Sequence, residues 1–468
     1  MSPQKKSLGY VSLALLNISA IISLRHLPVM AQYGVGSLFF YCIAALIFLI
    51  PIALICAELA TTWPDRGGLY NWIYQGFGPR IAFLVVWWSW MAAIVTILLN
   101  LIFLSVTLAY TIAPASLDNK AMINAISLII LYGLTLINIY GMRFSSLISL
   151  IGVIAGTIIP VLLITILAAI WFFSGYGEIH AVTKLDLSFV FNSFSSLFFF
   201  AAVVLGFSGI ELAAFHVADA KDPQRDYSKA IFLSVVLIIL LYMISTLAIA
   251  LVLPLKEIDL IAGLVQFFNK FFEKFGLQYI SKLVSFTLVI GTIGGINTWL
   301  ISPSKGIFPA VEHFNFPSWL SYKNKYDVPV SLLVIQAIIC TIILLLLSNS
   351  QTIQQSFWMF TASTTQFVIL IYLFMIAAVV RLRFLQPNTI RPFRIPDKWF
   401  SLTTRTAFFS CILVLFVSFI PAEKIQGSLF AYELFFTLGL ILMSLPPFFF
   451  KKKQEKNREF VVTEIKKY

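Results

Sequence analysis

Residues 17–28 read NISAIISLRHLP, an apolar stretch that carries Arg25 and His26 just before Pro28. A charge placed in hydrocarbon costs about 2.5–3.5 kcal/mol on insertion scales. An arginine here therefore needs either a route to the membrane surface along its aliphatic stem or a water-filled site. A second apolar stretch, AAVVLGFSGIELAAFHVADA at 201–220, is interrupted too. Gly206 and Gly209 bracket Phe207 and Ser208, and Glu211 follows half a turn later. Glycine costs about 1 kcal/mol relative to alanine inside a helix. A Gly-x-x-Gly beside an intramembrane carboxylate thus favours a break in the helix over a packing groove between helices.

The surrounding chain says what kind of molecule carries these breaks. Its 468 residues are 60% hydrophobic and 11% charged, with a mean hydropathy of +0.94. No water-soluble domain of this size hides so much apolar surface, so the chain is a polytopic membrane protein. A spanning helix needs roughly 20 apolar residues. Twelve stretches qualify, near 9–30, 36–61, 81–111, 121–140, 146–173, 189–218, 228–253, 280–301, 328–348, 354–380, 403–421 and 428–450. Barrel strands are about half as long and alternate in polarity. The expected fold is an all-α bundle of twelve transmembrane helices, with residues 1–450 as one domain and 451–468 as a short basic tail.

Charge sets the orientation. With the N-terminus assigned to the cytoplasm, 24 of the 32 Lys and Arg residues fall on the cytoplasmic side. That bias, with an even number of spans, places both termini inside. It also accounts for the net charge of +12 without nucleic acid. The first apolar stretch is too long for a cleavable signal and has no small-residue cleavage site. Short loops and no targeting segment point to a bacterial inner membrane. The four cysteines lie in expected spans with no paired spacing, which reads as buried structural thiols and neither disulfides nor a metal site. Residues 254–279 contain an amphipathic stretch expected to lie on the membrane surface. Residues 302–327 read as a polar connection, and 381–400 as a basic loop broken by three prolines.

Enzyme signatures are absent: no Walker A loop, no His-Glu-x-x-His and no nucleophile elbow. The sequence points to no cofactor. What remains is the pairing of the two interruptions. They fall in the first spans of two successive five-helix sets, about 9–173 and 189–380. Corresponding breaks of this kind point to an inverted-repeat transporter with substrate at mid-membrane. Freed amides suit a carboxylate and freed carbonyls an ammonium group, which together fit a zwitterion.

Four stretches in order then resemble the amino acid–polyamine–organocation (APC) transporters. They are CAELATTWPDRGGLYNWIYQGFGPR (56–80), GFSGIELAAFHVADAKDPQRDYSKA (206–230), INTWLISPSKGIFPAVEHFNFPSWL (296–320) and RPFRIP (391–396). Within that superfamily, SPSKGIFPAVEH and DPQRDYSKA are most similar to the glutamate/γ-aminobutyrate antiporter branch. The resemblance implies a LeuT-like 5+5 inverted-repeat core with two extra helices near 403–450, carrying amino acids without ATP. It also implies a pocket. Ser19, Ile21, Ile22 and Ser23 occupy the first break, and Leu205, Ser208, Gly209 and Glu211 the second. Trp90 and Ala93 face in from span three, Asn297 from span eight and Tyr372 from span ten. Arg25 stands where the branch tends to place an aromatic residue, and Val368 where it places another. As a positive contact at the outer side of the site, Arg25 favours an acidic substrate such as glutamate.

The expected activity is secondary amino acid antiport, with small-molecule amino acids and the bilayer as partners. A proton-coupled importer of neutral amino acids or amines is the alternative, and a channel or membrane sensor fits less well. Glu58, at the inner end of span two, reads as a structural cap or loop ligand. Glu211 is a candidate either for shaping the break or for coupling protons, and His216 reads as a packed histidine.

Overall fold

In a bilayer every backbone polar group must find its partner within the protein, so apolar stretches of this length form helices. The computed structural model describes residues 9–64, 68–113, 119–140, 148, 151–152, 154–176, 194–212, 222–320, 322–326, 328–348, 353–420 and 429–451. His216 and all but the first residue of the basic tail lie outside these. The described residues form an all-helical protein. Eight of its helices are long and apolar enough to cross a membrane.

The chain opens with α1 (Tyr10–Ile21), a 3₁₀ turn (Leu24–His26) and α2 (Leu27–Ala31). The next span comprises α3 (Gly36–Ala44), a π-helical segment (Ala45–Leu49) and α4 (Ile50–Thr62). Then come α5 (Leu69–Phe77), α6 (Pro79–Ile112), α7 (Lys120–Ile139), a second π segment (Ile154–Ile158) and α8 (Ile159–Phe173). The rest of the chain gives α9 (Phe194–Gly206), α10 (Pro223–Val252), α11 (Gly263–Lys274), α12 (Gln278–His313), α13 (Val330–Ser348), α14 (Ile353–Leu385), α15 (Asp397–Val417), α16 (Leu429–Ser444) and α17 (Pro446–Phe449).

The hub is α6. Its apolar window is 94% buried, against 33% for α7 and α15, and it packs along both α12 and α14. One contiguous apolar core runs from Leu13 to Val417. The expected surface helix is α11, whose Phe267, Phe268, Phe271 and Phe272 are buried while Glu273 and Lys274 are exposed. Its apolar face is spent on protein. Gly263, at its start, lies so close to Pro28 that an added Cβ would stand 2.7 Å from the proline ring. The expected connection at 302–327 is shorter than the sequence suggested, because α12 runs on to His313 through Pro303 and Pro309. Three cysteines are buried, whereas Cys42 is exposed on the outer face of α3.

Candidate functional site

Both expected breaks are present. At the first, α1 ends at Ile21 and the backbone of Ile22 and Ser23 is extended before the chain re-enters helical geometry. Pro28 sits at the start of α2, where its missing N–H is tolerated. At the second, α9 stops at Gly206 and Gly209 adopts φ +114°, a conformation that glycine alone adopts easily. The Ser208 hydroxyl folds back on the Leu205 carbonyl at 2.5 Å.

One side chain serves both breaks. The Tyr242 hydroxyl, from α10, accepts from the Ser23 N–H at 3.0 Å and donates toward the Ile21 carbonyl at 3.0 Å, with the Gly206 carbonyl at 3.2 Å. Its ring stacks on Tyr41, whose own hydroxyl pairs with Thr246. A second tyrosine shapes the later break. Tyr372 accepts from the Gly209 N–H at 2.7 Å and donates to the Glu211 carboxylate at 2.5 Å. Backbone groups released by the breaks are thus held by buried phenols, which matters because an unmade hydrogen bond in this setting is costly.

Between the breaks lies a cavity of about 80 Å³. Ile21, Ile22, Ser23, Leu24, Arg25 and His26 form one wall, and Leu205 and Ser208 the facing one. Thr96, Asn100 and Phe103 contribute one face of α6, and Thr364 and Val368 one face of α14. The remaining wall joins Gly156 and Thr157 to the α12 residues Gly291, Thr292, Gly295, Thr298 and Trp299. There the two helices touch through backbone: a Cβ on Gly156 would stand 1.7 Å from the Gly291 Cα. Arg25 is 5% exposed and donates through Nη1 to Asn100 Oδ1 at 2.6 Å.

Six of the residues expected in the pocket line this cavity: Ile21, Ile22, Ser23, Arg25, Leu205 and Ser208. Gly209, Glu211 and Tyr372 form the hydrogen-bonded knot that sets the second break. Ser19 lies within α1, and its side chain is outside the described residues. Trp90 donates to Gln336 at 2.9 Å, Asn297 accepts from Asn138 at 2.8 Å, and Ala93 is fully buried; none of the three lines the cavity. Sequence reasoning missed Thr96, Asn100, Thr364 and the glycine wall. Polar residues four apart on otherwise apolar helices were the available signal.

Glu58 is a loop ligand. It is completely buried and accepts from Arg383 at 2.8 and 2.6 Å and from the Ile395 N–H at 2.8 Å, with Arg391 Nε 3.5 Å away. Arg383 also reaches Asp397 at 2.8 Å and lies over the Phe400 ring. The three-proline stretch is therefore stitched to the end of α4.

Broken helices meeting at a cavity inside a membrane bundle define a transporter of small solutes. Residues 8–445 match the amino acid permease family, and the chain belongs to it, within the APC superfamily. It is 34% identical to an uncharacterized transporter of Legionella pneumophila over 97% of this chain and 99% of that protein. It is 26% identical to a glutamate/γ-aminobutyrate antiporter of Lactococcus lactis, covering 98% and 93% of the two chains. A probable agmatine/putrescine antiporter of Lactococcus lactis is 25% identical over 88% and 87%.

Proposed function

We propose that the chain is a secondary active amino acid antiporter of the glutamate/γ-aminobutyrate type, working by alternating access. The observation that carries this reading is one cavity walled by both helix breaks, which Tyr242 ties together. A substrate bound there touches both halves of a 5+5 inverted repeat, so its binding bears on their relative motion. The eight full-length spans, the two broken helices, α13 and α16 fit twelve spans in all, a ten-helix 5+5 core with two extra helices, in one transporter domain. Placed in a bacterial inner membrane with both termini inside, the chain follows the positive-inside bias. Backbone groups at the breaks other than those held by Tyr242 and Tyr372 receive the α-amino and α-carboxyl groups of the substrate.

Counterflow in proteoliposomes tests this. Labelled amino acid should accumulate in vesicles preloaded with the same unlabelled amino acid, and should not in empty ones. A second reading, proton-coupled import, draws support from Glu211, a carboxylate 4% exposed at the second break. It predicts uptake into empty vesicles driven by a proton gradient alone.

A further inference from the structure

A guanidinium keeps its proton at any physiological pH, so Arg25 is a fixed positive charge in the cavity wall. The protein supplies it with little. One arm meets the neutral side-chain oxygen of Asn100, Nε has no hydrogen-bond partner, and no carboxylate among the described residues lies within ion-pair distance. The cavity lining contains no Asp or Glu, and Glu211 is engaged by Tyr372 instead. Two buried hydroxyls of the same lining, Thr96 and Thr364, also have no partner. A guanidinium without a counterion is tolerated in a hydrated cavity and strongly disfavoured in a dry one.

We infer that Arg25, positioned by Asn100, makes closure of the cavity conditional on an anionic cargo, with the side-chain carboxylate of an acidic amino acid supplying the missing counterion. Charge counting carries the argument. An amino acid with a neutral side chain brings one positive and one negative group and leaves the site at +1, as an empty cavity does. An acidic amino acid brings a net −1 and closes the site at zero. Thr96 and Thr364 offer that carboxylate hydroxyl donors. Expelling water is then easy with acidic cargo and hard without it, so the empty carrier returns slowly and exchange outruns net flux. This rests on the exchange reading above and narrows it: γ-aminobutyrate, with one positive and one negative group, leaves the site at +1 as glutamine does, so exchange runs between acidic amino acids.

The test uses the purified full-length chain in proteoliposomes loaded with labelled glutamate. Efflux is measured into buffer without amino acid, into glutamate and into glutamine. For the wild type, external glutamate should accelerate efflux at least about tenfold over buffer and over glutamine, the effect of roughly 1.4 kcal/mol. Arg25→Met removes the charge. Asn100→Asp preserves shape and gives Arg25 a permanent counterion, so it carries the test even where Arg25→Met does not fold. Both variants should bring net efflux to within about threefold of exchange, and both should lose the advantage of glutamate over glutamine. Asn100→Asp retaining the wild-type ratios would overturn the inference. A wild type that exchanges neutral but not acidic amino acids, seen in the same vesicles loaded with labelled glutamine, would contradict the inference while leaving the exchange reading intact. A wild type that exchanges no amino acid would contradict both.

Discussion

The Tyr242 hydroxyl stands 3.0 Å from the Ser23 N–H, joining α10 to the first break, and the same oxygen reaches the Gly206 carbonyl of the second. A single phenol therefore reports on both halves of the site. Tyr242→Phe leaves the Ser23 amide and the carbonyl that takes the single hydroxyl proton without their partner, a cost of about 1–3 kcal/mol for each group left unsatisfied. The expected result is a lowered melting temperature in detergent, together with an exchange rate reduced about tenfold or more. Unchanged exchange would show that the two breaks hold their shape without this link.

Glu58 and Arg383 form the other buried link, between residues 325 positions apart in sequence. Removing one partner of a buried ion pair costs about 3–5 kcal/mol, because the other charge is left uncompensated. Glu58→Gln should therefore destabilise the purified protein strongly, while Asp397→Asn, at the exposed edge of the same cluster, should have an effect of at most about 1 kcal/mol. Thermal unfolding in detergent separates the two. Equal effects would mean that burial of the carboxylate does not decide its contribution.

Two glycines of the cavity wall should behave oppositely. At Gly291 an added methyl would meet the Gly156 Cα at 2.1 Å, whereas at Gly295 it meets nothing within 4 Å. Gly291→Ala forces α12 away from the neighbouring π segment and should lower folded yield and melting temperature. Gly295→Ala should fold normally and fill part of the cavity, raising the KM for exchange without a matching loss of stability. Parallel melting curves and exchange kinetics check the contrast.

Glu211 accepts a 2.5 Å hydrogen bond from Tyr372. If the carboxylate only shapes the break, its amide isostere keeps that bond. Glu211→Gln should then retain exchange within about threefold of wild type, since no charged group need move. Abolished uptake under a proton gradient, with counterflow intact, would favour the import reading instead.

The breaks could be read from sequence because their causes are local. Gly206, Gly209 and Pro28 mark them through backbone conformation alone, whereas Tyr372, expected to face the pocket, ties Gly209 to Glu211 instead. The wall from α6 could not be read in that way. Its apolar pattern runs nearly all round a helix buried on almost every side, so the spacing of Thr96 and Asn100 is the one weak cue to which way it turns. Trp90 and Ala93 were expected to face the cavity, yet Thr96, Asn100 and Phe103 do. Asn297 points instead to Asn138, on a helix 159 residues earlier. Long-range pairing also hid the partners of Glu58, although its structural role as a loop ligand followed from its position. The contact of Gly156 with Gly291 involves no side chain, and only the fold reveals it.

The most direct measurement is counterflow across a panel of amino acids in proteoliposomes made with the wild-type chain. Preloading with unlabelled glutamate should drive transient accumulation of labelled glutamate well above equilibrium, and vesicles without internal amino acid should show none. Equal uptake with and without internal substrate, or no uptake of any amino acid in the panel, would contradict the exchange mechanism assigned to the paired breaks.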